Sequence, residues 1–369
     1  QLVWNLIFIS FFYFLTKEFL ALYQVLIRIK GKAKQNNLIQ IIQAVFSFGV
    51  LCLLAFEYDF DITAMLISSI IIDVLLILIV GFFTLKSGAL KHLSFKFISK
   101  RWMKIFLRFG SMTLWMSLLL MMIKSVDRYI ITLYDSIENV GIYTKVFDVA
   151  QMMITAVVFV FFSAINPAMN QKLTYDLENA DHLIKKYVFS FLIVGYPFIM
   201  LACLFSSTIA DILLGEDFRI GYQIMPYVFI GAFLYGFVIF VENKLQFKNQ
   251  LPYILKVLTI CLGLNVILNF IFVPRYGYHA AAVISMFTFL CMTISFYKKE
   301  HLQLFSLQGL KSYLTKTFIL SVAIILIHFW MQHNLEFKLI HAIIEGVVIL
   351  LLYTLINLKD LKMVKETLA

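Results

Sequence analysis

Ser117-Leu118-Leu119-Leu120-Met121-Met122-Ile123 runs directly into Lys124-Ser125-Val126-Asp127-Arg128-Tyr129, and after a short polar tip the chain resumes with Val140-Gly141-Ile142-Tyr143. The reading of this hairpin, Phe109 to Pro167, decides how the rest of the chain is understood. So apolar a run belongs in hydrocarbon, and charges beside it are costly in lipid, so by default they mark a protein-lined or water-lined cavity. Lys124, Asp127 and Arg128 are spaced i, i+3, i+4 and share one helix face. Lys145 and Asp148 lie three apart beyond the tip, and Asp148 is about as far after the tip as Asp127 is before it. At about 1.5 Å per residue, an antiparallel helical hairpin puts the two carboxylates at similar depth. The three cations outnumber the two carboxylates. Three readings follow: a site for an anionic headgroup, a gating ion-pair network, or a structural network in which Lys124 and Arg128 snorkel to the interface.

The rest of the chain supports the membrane setting. Of 369 residues, 62% are hydrophobic and 14% charged, with a mean hydropathy of +0.91; a soluble domain is about half apolar and about a quarter charged. The chain reads as an all-α polytopic membrane protein. About 20 apolar residues cross a bilayer, and eleven candidate spans emerge: 2–27, 38–56, 62–85, 106–131, 140–165, 187–208, 222–243, 252–273, 278–297, 317–332 and 338–357. Alternate connections hold 24 and 5 Lys and Arg residues, with Lys124 and Arg128 counted at the hairpin tip. The positive-inside rule puts the basic set, and the C-terminus, in the cytoplasm. The chain opens on Gln1, with neither a basic n-region nor a cleavage site, so its first stretch is not a signal peptide. Eleven spans place Gln1 outside, and three preceding spans are expected.

The same features exclude several function classes. The outer connections are too short for the catalytic loop a polysaccharide polymerase or ligase needs, and no P-loop motif occurs. Cys52, Cys203, Cys261 and Cys291 are far apart in apolar runs, so neither a metal nor a cofactor is expected. The +10 charge lies between spans, where it signals topology and not a nucleic-acid surface.

Other residues interrupt the spans. Asp73 lies mid-run with no cation within a helical turn in sequence, as a structural or an ion-coupling carboxyl. Lys17 and Glu18 read as a partly buried pair, with Glu18 a second coupling candidate and Lys17 a cavity charge. Glu242 and Lys244 read as a solvated boundary. Pro167 is expected to end the fifth span, Pro252 to open a helix, and Pro197 to kink the sixth span as a hinge or a packing bend. Lys298–Lys316 reads either as an interfacial amphipathic helix or as a basic loop held at anionic headgroups.

Arg108-Phe109-Gly110, Asp127-Arg128-Tyr129-Ile130 and Val140-Gly141-Ile142-Tyr143 resemble the signature of the bacterial polysaccharide-unit flippases. These Wzx-type proteins are oligosaccharide-lipid translocases of the MATE/MurJ-like exporter superfamily. A second likeness is Leu264-Asn265 through Asn269 and Pro274 to Gly277, followed by Ala280-Ala281, and Asn166-Pro167 also fits. The chain departs from the pattern at Ser111-Met112, where a proline is common, and at His279, where a glycine is common. The resemblance spans roughly 105–297, more weakly 19–48. It implies fourteen helices in two lobes plus an accessory pair. Residues 1–85 would be the last three helices of the first lobe and 86–104 a basic linker. Residues 105–297 would form the six-helix second lobe, 298–316 a basic segment, 317–357 the accessory helices and 358–369 a tail. The implied function is moving a polyprenyl-pyrophosphate-linked oligosaccharide across the bacterial cytoplasmic membrane by alternating access. Its partners would be that lipid-linked substrate, membrane lipids and the polysaccharide polymerase machinery. The rivals are a cation-coupled multidrug exporter of the same fold, which an acid-rich cavity would favour, and a non-transporting scaffold.

Overall fold

The computed structural model describes residues 2–29, 33–57, 63–86, 99–176, 180–300, 309–334 and 339–368. Most of the expected basic linker 86–104, the middle of Lys298–Lys316, and the outer connections near 58–62 and 335–338 lie outside the described residues. The described chain is helical throughout. It divides into two compact units, Gln1–Met103 and Lys104–Ala369.

The first unit holds α1 (Leu2–Ile29), α2 (Ala33–Glu57) and α3 (Thr63–Lys86). All three are apolar on nearly every side, as membrane helices must be because lipid offers the backbone no hydrogen-bond partner. Their small common core is Leu20, Ile72 and Leu76, with Ile39, Ile42 and Val50 packed on it.

The second unit starts with α4 (Lys100–Tyr134) and α5 (Ile137–Tyr175). The hairpin tip is only Asp135 and Ser136. Asp135 accepts from the Asn139 side chain at 2.7 Å, and Ser136 caps α5 by accepting from the Asn139 amide. Two expected boundaries are corrected. Lys100–Lys104, read as linker, is the first turn of α4. Pro167 does not end its helix: α5 continues to Tyr175, because Ile165, Met169 and Leu173 keep the same face buried across the proline.

α6 (Ala180–Leu204), the short α7 (Ser206–Leu213), a 3-10 stretch (Glu216–Ile224) and α8 (Met225–Phe247) follow. α8 packs most extensively on α9 (Leu251–Lys299) and on α5. At 49 residues, α9 is roughly 70 Å of helix, too long for one crossing, and it bends at Gly277 (φ 59, ψ −152). The expected loop Pro274–Gly277 is therefore a one-residue corner joining two spans. Pro252 sits in the first turn of α9, as the sequence predicts. Among the described residues nine helices, α9 among them, are long and apolar enough to cross a membrane, and α2 has a shorter apolar stretch. The protein is thus a multi-pass, all-helical membrane protein.

The Gly277 corner is a backbone conformation that side-chain-bearing residues rarely adopt, and a Cβ there would lie 3.1 Å from Asp135 Oδ2. Gly277→Ala is therefore expected to lower stability by about 1–3 kcal/mol, as a fall in the melting temperature of the purified protein.

The chain ends with α10 (Leu310–Asn334), α11 (Leu339–Ile356) and α12 (Leu358–Leu368). α10 and α11 are joined by a hydrogen bond that the sequence does not signal. His328 Nδ1 lies 2.9 Å from Glu345 Oε2, with both residues buried. The tail is a helix packed on α6, with Val364 buried among Phe189, Ile193, Tyr313 and Tyr353.

Candidate functional site

Helical periodicity in the α4–α5 hairpin sends neighbouring charges to different places. Asp127 points inward and is 0% exposed. Its Oδ2 accepts hydrogen bonds from the Tyr143 hydroxyl on α5 and, at 3.1 Å, from Ser285 Oγ on α9. Its Oδ1 accepts from the Arg128 amide at 2.8 Å. Every donor is internal, so Asp127 joins three helix segments.

The next residue turns outward. Arg128 Nη2 donates to Asp148 Oδ1 at 2.5 Å, with 27% of the arginine side chain and 55% of the aspartate exposed. The guanidinium also lies 5.6 Å from the centroid of the Phe147 ring. One turn earlier, the Lys124 ammonium sits over Tyr235 of α8 at 4.6 Å. Lys124 has no carboxylate partner among the described residues, so its charge is held by a ring face and available to an anion.

Lys124 lines open cavities on both sides. One, of about 490 Å³, is bounded by Lys124, Asp148, Gln151, Met152, Thr155 and Phe159. The other, of about 420 Å³, is bounded by Ser117, Met121, Lys124, Ser125, Arg128 and Gln151. Gln151 lies three residues after Asp148 on the same face of α5, so its position is readable from spacing once Asp148 is singled out. Its amide can donate and accept between the two cavities. Of the five hairpin charges expected to act together, Lys124, Arg128 and Asp148 surround this polar face, and Asp127 lies beneath it. Lys145 does not join them: it is exposed and lines neither cavity. Tyr143 is buried on Asp127, whereas Tyr129 is 73% exposed.

The first unit has its own buried acid. Asp73 is 1% exposed and accepts from Gln43 Nε2 at 2.7 Å, while its Oδ2 has no hydrogen-bond partner among the described residues. The expected Lys17–Glu18 pair is corrected: both residues are exposed, and Lys17 donates to the Tyr13 hydroxyl at 2.9 Å. Residues 13 and 17 lie one turn apart, on the same helix face, whereas adjacent residues diverge.

Lys244 requires a larger correction. Read as a solvated boundary residue, it is 2% exposed. It pairs with Asp181 at the start of α6 and, at 2.6 Å, with Glu300 after α9. Glu300 also receives Lys248 at 2.6 Å. Burial pushes the Glu300 carboxyl up, but the hydrogen bonds from Lys244 and Lys248 outweigh it and hold the group below its ordinary value. Its contribution to stability is present above about pH 4.3 and is lost as the pH falls through the lower folded-state value. Lys244→Ala removes the buried cation shared by Asp181 and Glu300, leaving Glu300 only the partly exposed Lys248, and is expected to cost up to about 3–5 kcal/mol. Lys248→Ala is expected to cost less, since Lys244 still serves Glu300. Thermal unfolding of the two variants checks both expectations.

With this geometry described, relatives can be compared. A model of the family described as polysaccharide biosynthesis protein matches residues 2–220, more than half of the chain. The chain belongs to that family. Among curated proteins none matches. Among solved structures, the lipid II flippase MurJ in its inward closed conformation is similar over 96% of this chain and 72% of that one, with a TM-score of 0.65 and 16% sequence identity. At that identity the likeness is one of fold. The all-helical, MurJ-like fold implied by the signature residues is therefore shown, as is membership of a polysaccharide biosynthesis family.

Proposed function

We propose that this protein is a flippase that carries a polyprenyl-pyrophosphate-linked oligosaccharide from the inner to the outer leaflet of the bacterial cytoplasmic membrane. The observation that carries the reading is Lys124, a membrane-embedded cation without a carboxylate partner among the described residues, set between two open cavities with Arg128 and Gln151 at their edges. A diphosphate headgroup cannot enter hydrocarbon unaided. Lys124 offsets its charge directly. Arg128, released from Asp148, offers a planar fork matched to phosphate oxygens. Asp148 neutralises Arg128 when no substrate is bound, and exchange of that partner for the substrate provides a gate. Asp127 fixes the helices that aim these groups. Membership of the polysaccharide biosynthesis family and the MurJ-like fold support the same reading.

On this reading residues 1–85 complete the first lobe, 105–297 form the second and 317–357 the accessory pair, with the basic connections and the tail in the cytoplasm. The chain performs no covalent chemistry, and its product passes to polysaccharide polymerase machinery. Asp73, with one oxygen bound by Gln43 and the other buried without a hydrogen-bond partner among the described residues, is the coupling position for a proton or other cation. Glu18, exposed on α1, is a weaker coupling candidate.

Complementation tests the assignment. In a host lacking this gene and any redundant flippase, the intact gene is expected to restore surface polysaccharide and to leave drug susceptibility unchanged. Restored drug resistance without restored polysaccharide would favour the multidrug exporter instead.

A further inference from the structure

Pro197 lies inside α6 and has no N–H for the carbonyl of Ile193, four residues earlier. A buried carbonyl in a membrane helix must find another donor, because no lipid group replaces water. The donor comes from α11: Tyr353 Oη donates to Ile193 O at 2.6 Å. Ile193 is 0% and Tyr353 2% exposed, so this is an interior contact. With its hydrogen committed to Ile193, Tyr353 can accept from the Tyr313 hydroxyl of α10 at 2.8 Å.

The surroundings hold the same turn of α6 from both sides. Next to the proline, Tyr196 Oη lies 2.6 Å from Ser321 Oγ of α10. On the opposite face, a Cβ at Gly195 would lie 2.3 Å from the Phe233 ring of α8, so α6 is pressed against the main core there. Ordinary packing would account for buried tyrosines, but not for a hydroxyl aimed at the one carbonyl that the proline deprives of its helical partner.

We propose that the accessory helices brace the Pro197 break, with Tyr353 supplying from α11 the hydrogen bond that the proline denies α6. The local shape of α6 then depends on the accessory pair being docked. This goes beyond the transport reading and does not rest on it.

A double-mutant cycle tests the brace. Pro197→Ala restores the N–H, so the Tyr353 hydroxyl should become redundant. In the purified full chain, Tyr353→Phe is expected to lower the melting temperature by about 2–4 °C when Pro197 is present, and by about 1 °C or less beside Pro197→Ala. Equal losses in both backgrounds, or no loss with Pro197 present, would overturn the proposal. Should Pro197→Ala fail to fold, hydrogen exchange on Tyr353→Phe alone decides. Exchange about tenfold faster in the α6 turns flanking Pro197 is expected. Unchanged exchange there, or loosening confined to α11, would overturn the proposal.

Discussion

Asp127→Leu is expected to remove most of the protein from the membrane, the largest effect of any single substitution considered. The leucine is similar in size, so the loss is one of bonding and not of volume. It would leave the Tyr143 hydroxyl and Ser285 Oγ without their acceptor in a fully buried site. Each buried polar group so orphaned costs about 1–3 kcal/mol, a large share of the roughly 5–15 kcal/mol that holds a typical domain together. Asp127→Asn keeps an oxygen for the tyrosine and is expected to accumulate to an intermediate level. Quantitative immunoblotting of membranes, followed by thermal unfolding of whatever survives, measures both. Wild-type abundance and stability for Asp127→Leu would mean that the contact with Ser285 does not hold the hairpin to α9.

The second large effect is functional. Lys124→Gln and Arg128→Gln are each expected to reduce export of the glycan about tenfold or more, the loss of one hydrogen bond to a charged group, with membrane abundance unchanged. Both side chains are partly exposed at open cavities, so neutralising them does not orphan a buried partner. Lys145→Gln is the control. It removes the same charge from the same hairpin but from outside the two cavities, and is expected to export normally. Surface polysaccharide per cell, normalised to protein abundance, is the readout. Equal losses in all three variants would indicate a general electrostatic role for the hairpin, and no loss at Lys124 or Arg128 would remove the headgroup site.

The membrane fold was legible because its cause is local. Hydropathy marks each span, and a polar pair such as Asp135-Ser136 marks a tip with its own cap. Asn265 and Asn269, singled out by the family resemblance, are a buried pair in which Asn269 donates to Asn265, and Asn265 donates to Thr288 across the Gly277 corner. The misread sites depend on partners far away in sequence. Asp127 meets Ser285, 158 residues on. Lys244 reads as a boundary residue because nothing near it shows that Asp181 and Glu300 converge there. Pro197 reads as a kink, and only the fold shows Tyr353 at its orphaned carbonyl. Lys145 is exposed three residues before Asp148 and lines neither cavity, which spacing alone does not show.

The most direct test of the account is to ask which leaflet holds the lipid-linked glycan when the gene is deleted from a host without a redundant flippase. The account predicts accumulation on the cytoplasmic face, relieved by the intact gene and not by Lys124→Gln. Normal delivery of the glycan to the outer leaflet in the deletion strain would contradict it.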